Sequence, residues 1–332
     1  MKIGITYDLK SDYLKKGFSE QDIAELDNES TIDHIETTLQ SLGYKTERIG
    51  HLENLMKKLL NHKTWDLVFN ICEGMYGSGR EAQVPALLDA FQIPYTFSDP
   101  LVLALTLNKG MTKRVLKERI STASFYIINN EKKPNGDYSP AIFPGYWKRE
   151  YPVFVKPNSE GSGKGITSKS VVNDKNEMIE FCNQIWKDQD FPLIVESYLP
   201  GREFTVGIIG TGKESKVLGC MEINFNSDEK LYSYNMKTNY EEFITYTLPE
   251  EEISKQVCDL ALKSWKLLGC RDAGRIDIRL DQKGVPNFIE VNPLAGLNKD
   301  ISDLPILAKM NGFSYEYIIE SIINSAKKRI KK

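Results

Sequence analysis

A predicted β-hairpin in the last quarter of the chain carries two carboxylates and an amide that could share a cation. Its strand-like segments are Gly274-Arg275-Ile276-Asp277-Ile278-Arg279 and Phe288-Ile289-Glu290-Val291-Asn292, joined through Asp281-Gln282-Lys283-Gly284. Side chains alternate between the two faces of a strand. One face is therefore predicted to carry Arg275, Asp277 and Arg279 together with Phe288, Glu290 and Asn292. The isoleucines and valine between them, Ile276, Ile278, Ile289 and Val291, are predicted to be core.

Hard oxygen ligands at this density suit Mg²⁺, which binds through one or two carboxylates and the phosphates of a nucleotide. The alternative is a solvated hairpin whose acids pair with Arg275 and Arg279 across the strands.

A glycine-rich segment after a predicted strand is a second candidate for phosphate binding. Val153-Phe154-Val155-Lys156-Pro157 precedes Glu160-Gly161-Ser162-Gly163-Lys164-Gly165. The segment is not a Walker P-loop, because Asn158 and Gly165 stand where that motif needs Gly and Ser or Thr. Its backbone N–H groups could still cover phosphates, with Lys156 and Ser162 adding charge and a donor. The alternative is a flexible solvent loop.

A third segment could recognise a nucleoside. Glu196 lies on a buried-looking strand, Leu193 to Leu199, that ends at Pro200-Gly201 and is followed by Glu203. Glu196 could accept from an exocyclic amine and Glu203 from ribose hydroxyls, although many strands end in a Pro-Gly turn. Lys237 is by itself indistinguishable from a solvated lysine.

Composition excludes several function classes. The chain has 332 residues, 41% of them hydrophobic, and 43 Lys and Arg against 46 Asp and Glu. A net charge of −3 offers no basic field for nucleic acid. No apolar run approaches the ~20 residues of a membrane span and the first residues do not resemble a signal peptide, so we expect a cytoplasmic protein without membrane contact. Five scattered cysteines without a C-x-x-C pair argue against disulfides and zinc.

The order of predicted elements indicates an α/β fold. In the first hundred residues strand-like and helical segments alternate, which predicts a small parallel sheet with strands at 2–8, 44–49, 66–71 and 93–97. Residues 10–29 are polar, a long connection for such a unit. One helix is predicted for 100–119, a strand for 166–172, and helices for 250–268 and 315–328.

Taken in order, these segments resemble the ATP-grasp superfamily and, within it, the D-alanine–D-alanine ligases. The matching segments are Ile93-Pro94-Tyr95-Thr96 before Lys109, Val155-Lys156-Pro157 with Glu160-Gly161-Ser162, Val195-Glu196 with Glu203-Phe204-Thr205-Val206, Gly274-Arg275-Ile276-Asp277, and Ile289-Glu290-Val291-Asn292 with Gly296. The resemblance covers most of the chain. It implies an ATP-grasp fold preceded by a parallel-sheet domain, with domains at 1–105, 106–190 and 191–332.

The resemblance also implies roles for residues at matching positions. Those for ATP are Lys109, Lys156, Ser162, Glu196, Tyr198, Leu199 and Glu203. Asp277, Glu290 and Asn292 would hold two Mg²⁺ ions, for which Mn²⁺ is an alternative. Arg275 and the backbone N–H of Gly296 would stabilise an oxyanion, and Lys237 would lie on a loop that closes over the γ-phosphate.

The amino-acid pockets depart from the ligase pattern. Glu73-Gly74 stands where the ligases have His-Gly, and Arg80 follows a few residues later. Glu25 and Glu29 are candidates for the acid that holds the first substrate's ammonium, and Ser302 lies in the segment expected to hold the second substrate's carboxylate. The added carboxylate and arginine suggest a differently charged first substrate.

The resemblance implies an ATP- and Mg²⁺-dependent ligase that joins two amino acids through an acyl phosphate and works as a homodimer. Two alternatives remain open: a ligase for another amino acid or peptide in specialised metabolism, and an ATP-binding protein without turnover. Loss of turnover with retained ATP binding on replacing Arg275 by Ala would separate a ligase from the second.

Overall fold

A parallel sheet forms the N-terminal part of the chain. The computed structural model describes residues 1–132, 138–140, 150–161, 163–188, 191–225 and 244–330. The N-terminal elements are β1 (Lys2–Tyr7), α1 (Lys10–Lys15), α2 (Glu29–Ser41), β2 (Lys45–Gly50), α3 (Leu52–Leu60), β3 (Leu67–Ile71) and α4 (Gln83–Ala90). The strands pair in parallel in the order β2-β1-β3. All five residues of β3 are buried, as expected for a strand covered on both faces.

The strand predicted for 93–97 is reduced to a single bridge. Tyr95 pairs with Val68, whose N–H donates to Pro94 O (2.8 Å) and whose carbonyl accepts from Thr96 N–H (2.9 Å). Phe97 then takes a φ of +71°, which ends the extended conformation.

The segment predicted to be a polar connection, 10–29, is folded. It begins with α1 and buries Tyr13, Ile23 and Leu26 as a small core of its own. Backbone hydrogen bonds from Lys10 N–H to Asp27 O (2.9 Å) and from Asp27 N–H to Asp8 O (3.0 Å) return the chain to the end of β1. This return places Asp27 at the carboxyl edge of the parallel sheet.

Two helices replace the single helix predicted for 100–119. They are α5 (Pro100–Leu107) and α6 (Lys109–Leu116). Asn108 separates them with an extended ψ of 99°, and its side chain accepts from Met111 N–H at 2.9 Å as the cap of α6. The break makes Lys109 the first residue of the second helix.

The central part contains a four-stranded sheet in the order β4-β9-β7-β8. Its elements are β4 (Phe125–Ile128), the separate hairpin β5 (Asn130–Lys132) and β6 (Tyr138–Pro140), β7 (Val153–Pro157), β8 (Val171–Val172), α7 (Lys175–Asp188) and β9 (Leu193–Ser197). The strand predicted for 166–172 is confirmed only for β8, because Ser168–Ser170 forms a 3-10 turn.

The C-terminal part is a five-stranded antiparallel sheet in the order β12-β11-β10-β13-β14. Its elements are β10 (Glu203–Ile209), β11 (Lys216–Phe225), β12 (Ile244–Thr247), α8 (Glu251–Leu268), β13 (Ala273–Leu280), β14 (Pro286–Asn292), α9 (Asp303–Met310) and α10 (Tyr315–Lys327). Helix α8 packs Val257, Ala261 and Trp265 against this sheet.

The two ends of the chain share one core. Ile3 and Ile5 of β1 belong to the same buried cluster as Ile318 and Ile322 of α10. Arg329, just past α10, donates to Tyr95 O at 3.1 Å and pairs with the buried Asp272. The α/β class predicted from the sequence is confirmed. No helix among the described residues has the length and apolar character needed to cross a bilayer.

Candidate active site

The hairpin predicted to carry the oxygen ligands is β13 and β14. Asp277 lies opposite Glu290, and Arg275 lies opposite Asn292, so the four polar side chains share one face. A bulge between Asp277 and Ile278 shifts the register and corrects one part of the prediction. Phe288 faces Ile278 in the core, and Ile289 turns toward a cavity instead of the core.

The polar groups of this hairpin hold one another in place. Asp277 accepts hydrogen bonds from Thr205 Oγ1, from Asn292 Nδ2 at 3.2 Å and from Arg275 Nε at 3.3 Å. Arg275 also pairs with Asp303 at 2.8 Å. The guanidinium is therefore fixed between two carboxylates beside the candidate ligands.

These donors suit a cation that is also bound by phosphate. Within the described ranges no group of three or more His, Cys, Asp or Glu side chains is arranged to hold a metal ion. Two carboxylates and one amide oxygen from Asp277, Glu290 and Asn292 fit Mg²⁺, which completes its shell with waters and nucleotide oxygens.

One cavity, of about 90 Å³, lies against this hairpin and the central sheet. Its lining includes all the described residues predicted to contact ATP: Lys109, Lys156, Glu196, Tyr198, Leu199 and Glu203. It also includes Gly161, Gly163 and Lys164 of the glycine-rich segment. Backbone N–H groups and lysines at one wall are appropriate for phosphates.

Glu196 is engaged by two lysines inside this cavity wall. It is 3% exposed and pairs with Lys113 at 2.5 Å and with Lys156 at 3.0 Å. Burial alone would raise the pKa of Glu196, but the two lysines lower it to about 2. The reverse balance acts on Lys113, whose pKa burial lowers despite Glu196. The contact of Glu196 with adenine therefore stays a prediction. In the described structure the negative charge of Glu196 anchors Lys113 and Lys156.

Sequence reasoning missed Lys113. It is completely buried and donates to Thr122 Oγ1 at 3.0 Å and to Phe288 O at 3.2 Å. The sequence feature that could have identified Lys113 is its position one helical turn after Lys109, on the same face of the helix.

Arg279 contacts two of the residues predicted to bind ATP, Glu203 and Tyr198. It pairs with Glu203 at 3.2 Å, donates to Gly201 O at 3.2 Å, and lies 5.6 Å from the ring centroid of Tyr198. One guanidinium thus holds Glu203, the residue predicted to face the ribose, and lies over the ring of Tyr198.

A larger cavity, of about 230 Å³, adjoins the first. The two cavities share Lys109, Glu160, Gly161 and Glu290 in their linings. Within this shared wall Lys109 lies 3.5 Å from Glu290, and Glu160 lies 3.1 Å from Lys164. A phosphate in the smaller cavity would therefore be next to a ligand in the larger one.

Opposite walls of the larger cavity come from distant parts of the chain. The N-terminal wall contains Asp27, Glu73 and Glu81, and the C-terminal wall contains Arg275, Gly296 and Ser302. Ser302 Oγ accepts from Asn298 N–H at 3.0 Å, which fixes the loop after β14. Thus Glu73, Gly296 and Ser302 all line the cavity in which they were predicted to act.

Arg80 connects the N-terminal wall to the glycine-rich segment. It pairs with Glu25 and donates to Ser159 O at 3.1 Å, while Glu25 accepts from Gly161 N–H. Arg80 is thus engaged by Glu25 and by the segment that borders both cavities.

Three acids of the N-terminal wall have strongly shifted pKa values. Burial raises the pKa of Glu73 well above its usual range, and the charges of Glu81 and Glu25 add to the effect. Burial raises the pKa of Glu81 to about 7, although Arg80 opposes the shift. Burial likewise raises the pKa of Asp27 to about 7 against a hydrogen bond from Thr31. Perturbed acids in a cavity are typical of functional sites.

Glu29 is placed elsewhere. It is exposed at the start of α2, where its carboxylate pairs with Arg48, and it does not line the cavity. Of the two acids considered for the first substrate, Glu25 rather than Glu29 reaches the cavity. Ser162 and Lys237 lie outside the described residues.

Comparison with known proteins gives a family match over the part of the chain that holds most of this site. Residues 118–324 match the family model described as "D-ala D-ala ligase C-terminus". A D-alanine–D-alanine ligase from Thermotoga maritima is 32% identical over 300 residues, which cover 89% of this chain and 90% of that relative.

Two solved structures share the fold over nearly the whole chain. The D-alanine–D-alanine ligase from Bacillus anthracis has a TM-score of 0.75 and 25% identity, covering 99% of this chain and 98% of that one. The VanG D-Ala:D-Ser ligase from Enterococcus faecalis has a TM-score of 0.73 and 19% identity, covering 98% and 99%. At the latter identity the likeness concerns the fold alone.

Proposed function

This chain belongs to the D-alanine–D-alanine ligase family of ATP-grasp enzymes, and we propose that it uses ATP to join the carboxylate of one amino acid to the amine of a second. The observation that carries the proposal is the wall shared by the two cavities. ATP in the smaller cavity would present its γ-phosphate to a carboxylate in the larger one. Such proximity is what phosphoryl transfer between two bound molecules requires.

The reaction has two steps. A carboxylate oxygen of the first amino acid attacks the γ-phosphorus, the bond to the β-phosphate oxygen breaks, and ADP leaves. The amine nitrogen of the second amino acid then attacks the acyl carbon and loses a proton. The carbon–oxygen bond to the phosphate breaks, so that inorganic phosphate leaves and an amide remains.

Arg275 and Gly296 are suited to the second step. Attack on the acyl carbon produces an oxyanion, and fixed donors lower the barrier most when they need not reorganise. Arg275 is held by Asp277 and Asp303, and Gly296 is exposed to the same cavity. We propose that the guanidinium and the Gly296 N–H donate to that oxygen.

Mg²⁺ is the metal that this donor set fits, with Asp277, Glu290 and Asn292 as its protein ligands. When bound, the ions would neutralise charge on the transferred phosphoryl group. Lys109 and Lys156 are proposed to bind phosphate oxygens, and Glu196 keeps Lys156 charged, since the pKa of that lysine is raised by Glu196 although burial opposes it.

We also propose that the enzyme works in the cytoplasm, where ATP and amino acids are supplied, and that it forms a homodimer as its resemblance implies. Light scattering at several protein concentrations would test the dimer.

Replacing Arg275 by Ala tests the ligase proposal against ATP binding without turnover. We expect the variant to bind ATP like the wild type and to lose ADP release that amino acids stimulate. The matched control is Arg119→Ala, which removes an exposed arginine outside both cavities. Wild-type protein that binds Mg·ATP but shows no amino-acid-stimulated ADP release would contradict the proposal.

A further inference from the structure

Carboxylates outnumber cations in the larger cavity. Seven line it, and four of them, Glu25, Glu160, Glu290 and Asp303, lie in the ion pairs described above. Asp27, Glu73 and Glu81 remain. Lys10 also lines the cavity, and its charge acts on Asp27. Two acids of the N-terminal wall, Glu73 and Glu81, are therefore left without an ion pair among the described residues.

Glu81 is the more informative of the two. It is 9% exposed and lines the cavity, yet in the described part of the chain its side chain has neither a hydrogen bond nor an ion pair within 4 Å. Partial loss of hydration makes such a carboxylate costly to ionise without a cationic partner. A cation that enters the cavity would remove this penalty.

A substrate could supply the missing partner as an organic cation. Asp27, Glu73 and Glu81 are not among any set of acids arranged to hold a metal within the described ranges. An ammonium or guanidinium group can instead donate separate hydrogen bonds to carboxylates that do not converge on one point.

The first amino acid is the substrate that faces these acids. Glu81 lies close enough to Lys109, a member of the shared wall, for the lysine's charge to lower its pKa. The opposite wall offers the hydroxyl group of Ser302, which suits the carboxylate of the second amino acid. A neutral first amino acid would bring one ammonium and leave one of the two acids without a partner.

We propose that the amino acid whose carboxylate is phosphorylated carries a second cationic group in its side chain, an amine or a guanidinium, and that Glu73 and Glu81 bind its two cations. This substrate class rests on the ligase function proposed above, because it requires the reacting carboxylate to lie at the shared wall. Glu73 and Glu81 are specificity residues in this account.

Hydroxylamine trapping tests the first substrate alone. Hydroxylamine attacks the acyl phosphate in place of the second amino acid, so hydroxamate formation with Mg·ATP needs only one amino acid. The panel contains lysine, ornithine, 2,4-diaminobutyrate, arginine and alanine in both configurations, with side-chain N-acetyl derivatives of the diamino acids as matched neutral substrates.

We expect kcat/KM for the best basic amino acid to exceed that of its neutral counterpart by about tenfold or more. A hydrogen bond to a charged group contributes enough binding free energy to produce a ratio of this size. Glu81→Gln and Glu73→Gln should each reduce this ratio toward one, through KM for the amino acid, while the KM for ATP changes by less than about twofold. Glu118→Gln, which removes an exposed acid outside both cavities, is the matched control.

Equal trapping of neutral and basic amino acids would overturn the proposal and leave the ligase function intact, as would unchanged selectivity in both variants. Trapping of no amino acid would contradict the ligase function and, with it, this substrate class. If one variant fails to fold, the comparison of free and acetylated substrates in the wild type still decides the question.

Discussion

Replacing Glu81 by Gln should stabilise the protein at alkaline pH and have little effect at acid pH. Burial raises the pKa of Glu81 from an ordinary value of 4.5 to about 7, with Arg80 and Lys109 opposing the shift and Glu25 adding to it. Between these two pH values the unfolded chain has released the proton and the folded chain has kept it. The contribution of Glu81 to stability is therefore fully present below pH 4.5, falls as pH rises toward 7, and is lost above pH 7.

The size of this effect follows from the pKa difference. A shift from 4.5 to about 7 corresponds to about 3 kcal/mol of stability lost by the wild type at pH 8. Gln keeps the shape of a protonated Glu and cannot ionise, so the variant avoids this loss. With an unfolding entropy of about 2.1 cal/mol/K per residue, 332 residues convert 3 kcal/mol to about 4 °C in Tm.

Calorimetry at pH 5 and pH 8 in low salt would measure this effect in the wild type, Glu81→Gln and the control Glu118→Gln. We expect the Glu81→Gln protein to unfold about 4 °C above the wild type at pH 8 and within about 1 °C of it at pH 5. A variant that unfolds below the wild type at pH 8 would refute the reasoning, because it would mean that the ionised Glu81 already has a stabilising partner.

Other predictions concern the remaining parts of the site. Lys113→Met should lower stability at pH 7 by about 3–5 kcal/mol, since it deprives the buried Glu196 of one of two partners, and urea unfolding would detect the loss. Asp277→Asn should reduce amino-acid-stimulated ADP release by about a hundredfold or more and raise the Mg²⁺ concentration at half-maximal rate, while circular dichroism stays unchanged. Glu25→Gln should raise KM for ATP by about threefold or more, because it weakens the bond to Gly161. Glu29→Gln, on the exposed start of α2, should leave steady-state rates within about twofold, and a larger loss would show that Glu29 reaches the substrate.

The strand face that carries the proposed metal ligands could be predicted from the sequence because local rules determine it. Strand alternation was enough to bring Asp277 and Glu290 to one face. The same rule failed at Phe288 and Ile289, because a bulge adds one residue and reverses the faces beyond it. A single sequence gives no local sign of such a bulge.

The N-terminal wall of the larger cavity was harder to predict because tertiary contacts determine it. Residues 10–29 are polar by composition, and only their return to β1, through Lys10 and Asp27, places acids at the sheet edge. Lys113 likewise reads as a solvated helical lysine until Glu196, far along the chain, covers it. Glu29 lies outside the cavity, at the exposed start of α2, where it pairs with Arg48.

The transfer of carboxylate oxygen tests the central claim most directly. The first amino acid is supplied with both carboxylate oxygens as ¹⁸O, together with Mg·ATP and the second amino acid, and mass spectrometry follows the label in the amide product and in inorganic phosphate. Ligation through an acyl phosphate predicts one ¹⁸O in each phosphate released and one retained in each amide. Amide formed with unlabelled phosphate, or ATP bound and never converted with any pair of amino acids, would contradict the account.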